Sequence, residues 1–153
     1  MRHVLVVDDS TVVRKIVRRI LESADVRISE ASNARQALAA CSISMPDAIL
    51  VDVDMPTLDG HEFLRQLRRM QGGNRPKVVI CLNENDVAQI ARAMHAGADD
   101  FMMKPFDADH VRSKFKFVST PHEPGEAAIP LRVNRQRFPE SNSVRPILQS
   151  RPD

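Results

Sequence analysis

The stretch ILVDVDMPTLDG, residues 49–60, opens as an apolar strand and then carries acids at Asp52, Asp54 and Asp59. Leaving a carboxylate unpaired inside a protein costs on the order of several kcal/mol, so a strand that ends on Asp52 must present it to solvent, a cation or a chemical task. Outward from this strand, apolar runs of similar length occur at 3–7, 26–31, 77–82 and 99–103, and with 47–51 they make five expected strands. Between them the period changes to that of a helix. Over 10–23, Val12, Val13, Ile16, Val17, Ile20 and Leu21 fall one turn apart, while Arg14, Lys15, Arg18 and Arg19 take the other face. Comparable patterns cover 33–43, 60–71, 84–96 and 108–118, with Gly97 placed as a helix stop. Strands alternating with helices through short connections predict right-handed βαβ units and a parallel sheet covered on both faces, a doubly wound α/β fold. Reactive groups in such sheets collect beyond the carboxyl ends of the strands. Asp8, Asp9, Asp52 and Lys104 all fall at or just past such an end.

With 153 residues, 42% hydrophobic and 27% charged, the chain can build one ordinary core. Its net charge of +2 is spread over several helices, which argues against a nucleic-acid partner. Cys41 and Cys81 have no zinc or CxxC spacing. The apolar run after Met1-Arg2-His3 is too short for a signal-peptide core and no run approaches a membrane span, so a cytoplasmic protein without membrane insertion is expected. After Val118 the pattern breaks, since residues 119–153 hold six of the ten prolines and no apolar period. The sequence therefore predicts a folded domain over 1–118 and a Pro-rich, mostly disordered tail over 119–153, in which 128–133 and 145–149 are candidate binding segments.

Asp8-Asp9 alone would pass for strand-end acids. Three carboxylates converging with Asp52 repel one another unless a cation sits among them, and carboxylate oxygens suit Mg²⁺. Lys104, held in an extended approach by Pro105, would bring an ammonium to the same sheet edge. A carboxylate nucleophile, Mg²⁺ and a lysine point charge are the parts needed to receive a phosphoryl group.

The segments VLVVDDS (4–10), DAILVDVDMPTLDGHEFL (47–64) and AGADDFMMKPF (96–106), with the spacing from Asp9 to Asp52 to Lys104, resemble the receiver domain of two-component response regulators, most closely the CheY-like single-domain chemotaxis type. The resemblance implies a flavodoxin-like (βα)5 fold with strand order 2-1-3-4-5. It also implies Asp52 as phosphoacceptor, Asp9, Asp52 and the Asp54 carbonyl as Mg²⁺ ligands, Asp8 acting through metal-bound water, and Lys104 on a phosphoryl oxygen. Met55, Pro56, Asp59 and Gly60 would shape the loop after the acceptor strand. The implied partners are a sensor histidine kinase or histidine phosphotransfer protein and an effector protein, met by a monomer or weak homodimer. Such a protein signals rather than catalyses, beyond self-phosphorylation from small phosphodonors and self-dephosphorylation. The helix over 10–23 resembles the face that meets the kinase, and 84–117 the output face.

One position departs from the family. The fourth strand normally ends on a Ser or Thr whose hydroxyl bonds the phosphoryl group; here Leu82 stands there, followed by Asn83. Phe101 occupies the aromatic position that usually moves with that hydroxyl. Reduced coupling between phosphorylation and conformation is the expectation, and a phosphorylation-independent scaffold is the alternative. A haloacid-dehalogenase-type phosphatase is a weaker one: DVDMPT places Pro56 where that motif needs Thr or Val, and the motif lies on the third strand rather than the first.

Overall fold

The computed structural model describes residues 1–55, 60–83 and 87–116. Five strands and five helices alternate: β1 (Arg2–Val7), α1 (Thr11–Leu21), β2 (Val26–Ala31), α2 (Ala34–Ile43), β3 (Ala48–Asp52), α3 (Gly60–Arg69), β4 (Lys77–Leu82), α4 (Val87–Ala96), β5 (Asp100–Met103) and α5 (Ala108–Lys114). All strands are parallel, in the order β2-β1-β3-β4-β5. The register sets Val7 beside Val51 and Asp52 beside Cys81, so the β1 and β3 ends lie next to each other at the point where the strand order reverses.

Alternating side chains divide the core. On one face Leu5, Val7, Ile49, Val51, Val78, Ile80 and Leu82 pack with residues of α2, α3 and α4, including Phe63, Leu64 and Leu67. On the other, Val4, Val6, Leu50, Val79 and Cys81 pack with Val17 and Leu21 of α1 and Val111 and Phe115. β1, β3 and β4 are buried almost throughout, which explains why their sequences read as unbroken apolar runs. Burial pushes the Cys41 thiol up to about 11 and the Cys81 thiol up to about 12.

Helix ends follow local chemistry. Ser10, Asn33 and Asp107 cap α1, α2 and α5 by accepting the N–H of Val13, Gln36 and His110. The helices are shorter than their apolar patterns. Ser10 is a cap, and α1 stops at Leu21. The Met70 N–H turns to the Leu67 carbonyl, and Gly72 follows at φ 78°, ending α3 at Arg69. Phe115 closes α5 on the Arg112 carbonyl. β5 begins at Asp100; at Asp99 the N–H donates to the Val78 carbonyl at 2.8 Å while its carboxylate accepts the Val78 N–H and an Arg68 N–H. The expected helix start at 84–86, the residues Phe117 and Val118, the tail and both candidate segments within it lie outside the described residues. No helix among the described residues is long and apolar enough to cross a membrane.

Arg68 ties the end of the sheet opposite the Asp52 edge. Its guanidinium donates to the carbonyls of Gly73, Pro76 and Gly97 and to the Asp99 carboxylate at 2.7–3.1 Å. At Gly97, φ is +122° and a Cβ would stand 2.9 Å from Arg68 Cγ, so the sequence-predicted helix stop is also the seat of this arginine.

Candidate functional site

β1 ends at Val7 and delivers Asp8, β3 ends on Asp52, and β5 is followed by Lys104. Asp8 and Asp52 are each 3% exposed, whereas Asp9 is exposed. One carboxylate oxygen from each of Asp8, Asp9 and Asp52 lies within 4.8 Å of the others. Lys104 Nζ stands 3.0 Å from Asp8 Oδ2 and 3.6 Å from Asp52 Oδ2. The lysine thus pairs with both buried acids and stands nearer to Asp8 than to Asp52. Asp52 sits deeper than a residue facing solvent, so the cation and the chemical task are the readings left for it.

Charge explains how these groups titrate. Burial raises the Asp52 carboxyl first and the neighbouring Asp8 charge raises it further; Lys104 and the Asp54 N–H oppose them, and the balance is a carboxyl pushed up to about 6. Burial by itself would lower the Lys104 ammonium, but its hydrogen bond to Asp8 and the charges of Asp52 and Asp8 outweigh this and raise it. Three carboxylates against one ammonium leave negative charge uncompensated, and an all-oxygen donor set fits a hard divalent cation such as Mg²⁺.

The loops around the acids are shaped by their own hydrogen bonds. Ser10 N–H donates to Asp8 Oδ1 at 2.9 Å, holding the turn that leads into α1. Asp54 N–H donates to Asp52 Oδ1 at 3.2 Å, and Asn83 Nδ2 donates to Asp54 Oδ2 at 3.3 Å. Asn83 therefore reaches the β3 loop through Asp54. Met55 is buried in the core on the α3 and α4 side. Gly60 is required by close approach, since a Cβ there would stand 2.9 Å from Val53 Cα and 3.0 Å from the Asp52 carbonyl oxygen. The Lys104-Pro105 peptide is cis, and Lys104 N–H donates to the Leu82 carbonyl at 2.7 Å. Leu82 itself is 1% exposed and belongs to the core on the α3 and α4 side. Phe101 is half-buried, with Lys114 Nζ 5.7 Å from its ring centre. Pro56 and Asp59 lie outside the described residues.

Sequence reasoning missed a second cluster. Glu30, on β2, accepts from Arg14 at 3.0 Å, Lys15 at 2.9 Å and Arg18 at 2.7 Å. Arg14 also donates to the Asp8 carbonyl at 2.7 Å, so the clamp reaches the β1–α1 turn. Burial raises the Glu30 carboxyl, but the three cationic hydrogen bonds prevail and hold it at about 2. The basic face of α1 is thus largely engaged, while Val12 and Ile16, counted in its apolar stripe, are 66% and 47% exposed. The available signal was the acid in VRISEA, which interrupts a strand otherwise apolar on that side.

Comparison with known proteins agrees with this geometry. The model of the response regulator receiver domain matches residues 4–116. Among curated relatives, the KDP operon transcriptional regulatory protein KdpE of Escherichia coli K12 is 33% identical over 131 residues, 86% of this chain and 57% of that protein. Response regulator MprA of Mycolicibacterium vanbaalenii is 34% identical over 126 residues, 82% of this chain and 54% of that one. The chain therefore spans a little over half the length of these relatives. Chemotaxis protein CheY4 of Vibrio cholerae superposes with a TM-score of 0.73 at 28% identity, covering 77% of this chain and 98% of that one. A CheY-like receiver domain protein of Methanospirillum hungatei gives 0.70 at 25% identity, covering 76% and 92%. With the sheet order, the paired aspartates before α1, the acid at the end of β3 and the lysine after β5 all in one unit, the chain belongs to the response regulator receiver domain family of two-component signalling.

Proposed function

We propose that Asp52 accepts a phosphoryl group from a phosphohistidine of a sensor kinase or phosphotransfer protein, and that the phosphorylated domain signals to an effector protein by direct contact. The observation that carries this reading is the convergence of Asp8, Asp9 and Asp52 within 4.8 Å of one another, with Lys104 paired to Asp8 and Asp52. An Asp52 carboxylate oxygen forms the new bond to phosphorus as the bond from phosphorus to the donor nitrogen breaks, and the electron pair leaves with the imidazole. Asp9, Asp52 and the Asp54 carbonyl would hold Mg²⁺, with Asp8 acting through water, and the cation would supply charge neutralisation for the phosphoryl oxygens. Lys104 leaves Asp8 to meet a phosphoryl oxygen as a point charge. The Asp54 N–H, already aimed at Asp52 Oδ1, keeps the acceptor oriented. The loop residues Met55, Pro56, Asp59 and Gly60 frame the site, with Pro105 setting the approach of Lys104. On this reading the receiver unit spans residues 1–118.

Leu82 favours altered switching. No hydroxyl stands at the end of β4, so the hydrogen bond that would draw this strand end toward the phosphoryl group is missing; a bond to a charged group is worth roughly 1.5–3 kcal/mol. Asn83 and Phe101 are the neighbouring positions through which a residual response would pass. The same residue favours a second reading, a scaffold that binds partners without phosphorylation. Intact mass after incubation with Mg²⁺ and acetyl phosphate separates them. One Mg²⁺-dependent phosphoryl adduct, absent in Asp52→Asn, supports the acceptor; no adduct from acetyl phosphate or from a phosphohistidine donor, with the fold intact, supports the scaffold.

A further inference from the structure

Away from the acidic pocket, α3 and α4 enclose a groove of about 670 Å³. Arg65 and Arg69 line it from α3, Arg92 and His95 from α4, with the methyl groups of Ala91 and Ala96 between them. Glu62 is the sole acid within the two helices, and it pairs with Arg65 at 2.7 Å. Arg69, Arg92 and His95 are exposed and form no ion pair with the described residues. Arg68 adds its charge at the end of the groove, but its guanidinium is committed to backbone carbonyls and Asp99, so it stiffens the wall. In a chain whose net charge is only +2, this is a local concentration of cations.

We infer that this groove docks an acidic helical segment of a partner protein. Two features of the lining select that occupant. Among the described residues the lining holds no carboxylate, amide or hydroxyl, so it is dominated by bidentate guanidinium donors that match carboxylates, and the His95 ring is the lone side chain with an acceptor for the base or sugar of a nucleotide. The nitrogen-bearing side chains also repeat at helical spacing, Arg65 to Arg69 and Arg92 to His95, which places groups about 5–6 Å apart along each wall. Carboxylates at i and i+4 of a docked helix have the same repeat. The small alanines leave room for its backbone to approach. Because α3 follows the strand carrying Asp52 and α4 the strand carrying Leu82, the partner would grip two of the helices that leave the phosphoacceptor edge, whether or not Asp52 is phosphorylated.

The test uses the full chain and a fluorescein-labelled alanine-based helical peptide with glutamates at i and i+4, read by fluorescence anisotropy at low and at near-physiological salt. Saturable binding is expected, weakened about tenfold in Arg69→Gln/Arg92→Gln and less than about twofold in Arg27→Gln/Arg35→Gln, which removes the same charge from exposed positions elsewhere. Circular dichroism melts check that both double variants fold. Equal weakening by the two double variants, equal binding of a peptide of the same composition with its glutamates off this spacing, or absence of saturable binding would each overturn the inference. Sodium tripolyphosphate binding in the groove more tightly than the peptide would replace it with a small-anion site.

Discussion

Replacing Asp52 by Asn should make the metal-free protein more stable at neutral pH, and its size follows from the pocket. Asp52 is 3% exposed, beside Asp8, and its carboxyl is pushed from 3.8 up to about 6. At 1.36 kcal/mol per pH unit, holding it ionised costs the fold about 3 kcal/mol. A group raised on folding contributes its full stability below its unfolded value and loses it as pH rises, here between 3.8 and about 6. Asparagine keeps the shape and the oxygen that accepts the Asp54 N–H but carries no charge. Asp52→Asn should therefore melt about 10 °C higher than the parent at pH 7.5, with the gap closing as pH falls toward 4. Thermal melts followed by circular dichroism measure it directly. Mg²⁺ adds a check, because a cation among Asp8, Asp9 and Asp52 stabilises the parent and should narrow the gap. Equal melting of the two proteins at pH 7.5, or a gap that does not change with pH, would refute the electrostatic account of the pocket.

Leu82→Thr should cost about 2 kcal/mol in urea unfolding, since it removes buried methyl groups and brings a hydroxyl into the core edge. It should also enlarge the shift of α4 amide resonances on adding a phosphoryl mimic such as beryllofluoride; an unchanged shift would count against Leu82 as the uncoupling residue. Arg68→Ala strands the Gly73, Pro76 and Gly97 carbonyls and should lower stability by about 2–3 kcal/mol, seen as a lower urea midpoint. Glu30→Gln should cost about 3 kcal/mol at pH 7. Because the Glu30 carboxyl is depressed to about 2, that contribution is present above 4.5 and lost as pH falls below it, so variant and parent should converge in acid melts.

The architecture was legible because apolar period and strand length follow directly from which faces are buried. α1 shows where this stops: its stripe includes Val12 and Ile16, yet the sheet covers only the side holding Val17 and Leu21. The acids and Lys104 were legible because a strand-end charge has few inexpensive explanations. Their pairing was not, since the preference of Lys104 for Asp8 over Asp52 is set by less than 1 Å of placement. Arg14 and Glu30 are far apart in sequence, and helix spacing alone cannot show that a basic face closes on an acid of the neighbouring strand. The cis Lys104-Pro105 peptide likewise leaves no mark in composition or period.

The two cysteines have a practical consequence. Both are buried within the core, with thiols pushed up to about 11 and about 12, so the reactive thiolate is a fraction on the order of one in a thousand or less at pH 7.5. A cysteine introduced on the surface should thus react with a maleimide dye while Cys41 and Cys81 stay silent. Reporter pairs spanning α3 and α4 could then be installed in the otherwise native chain, with no cysteine-free background to build first.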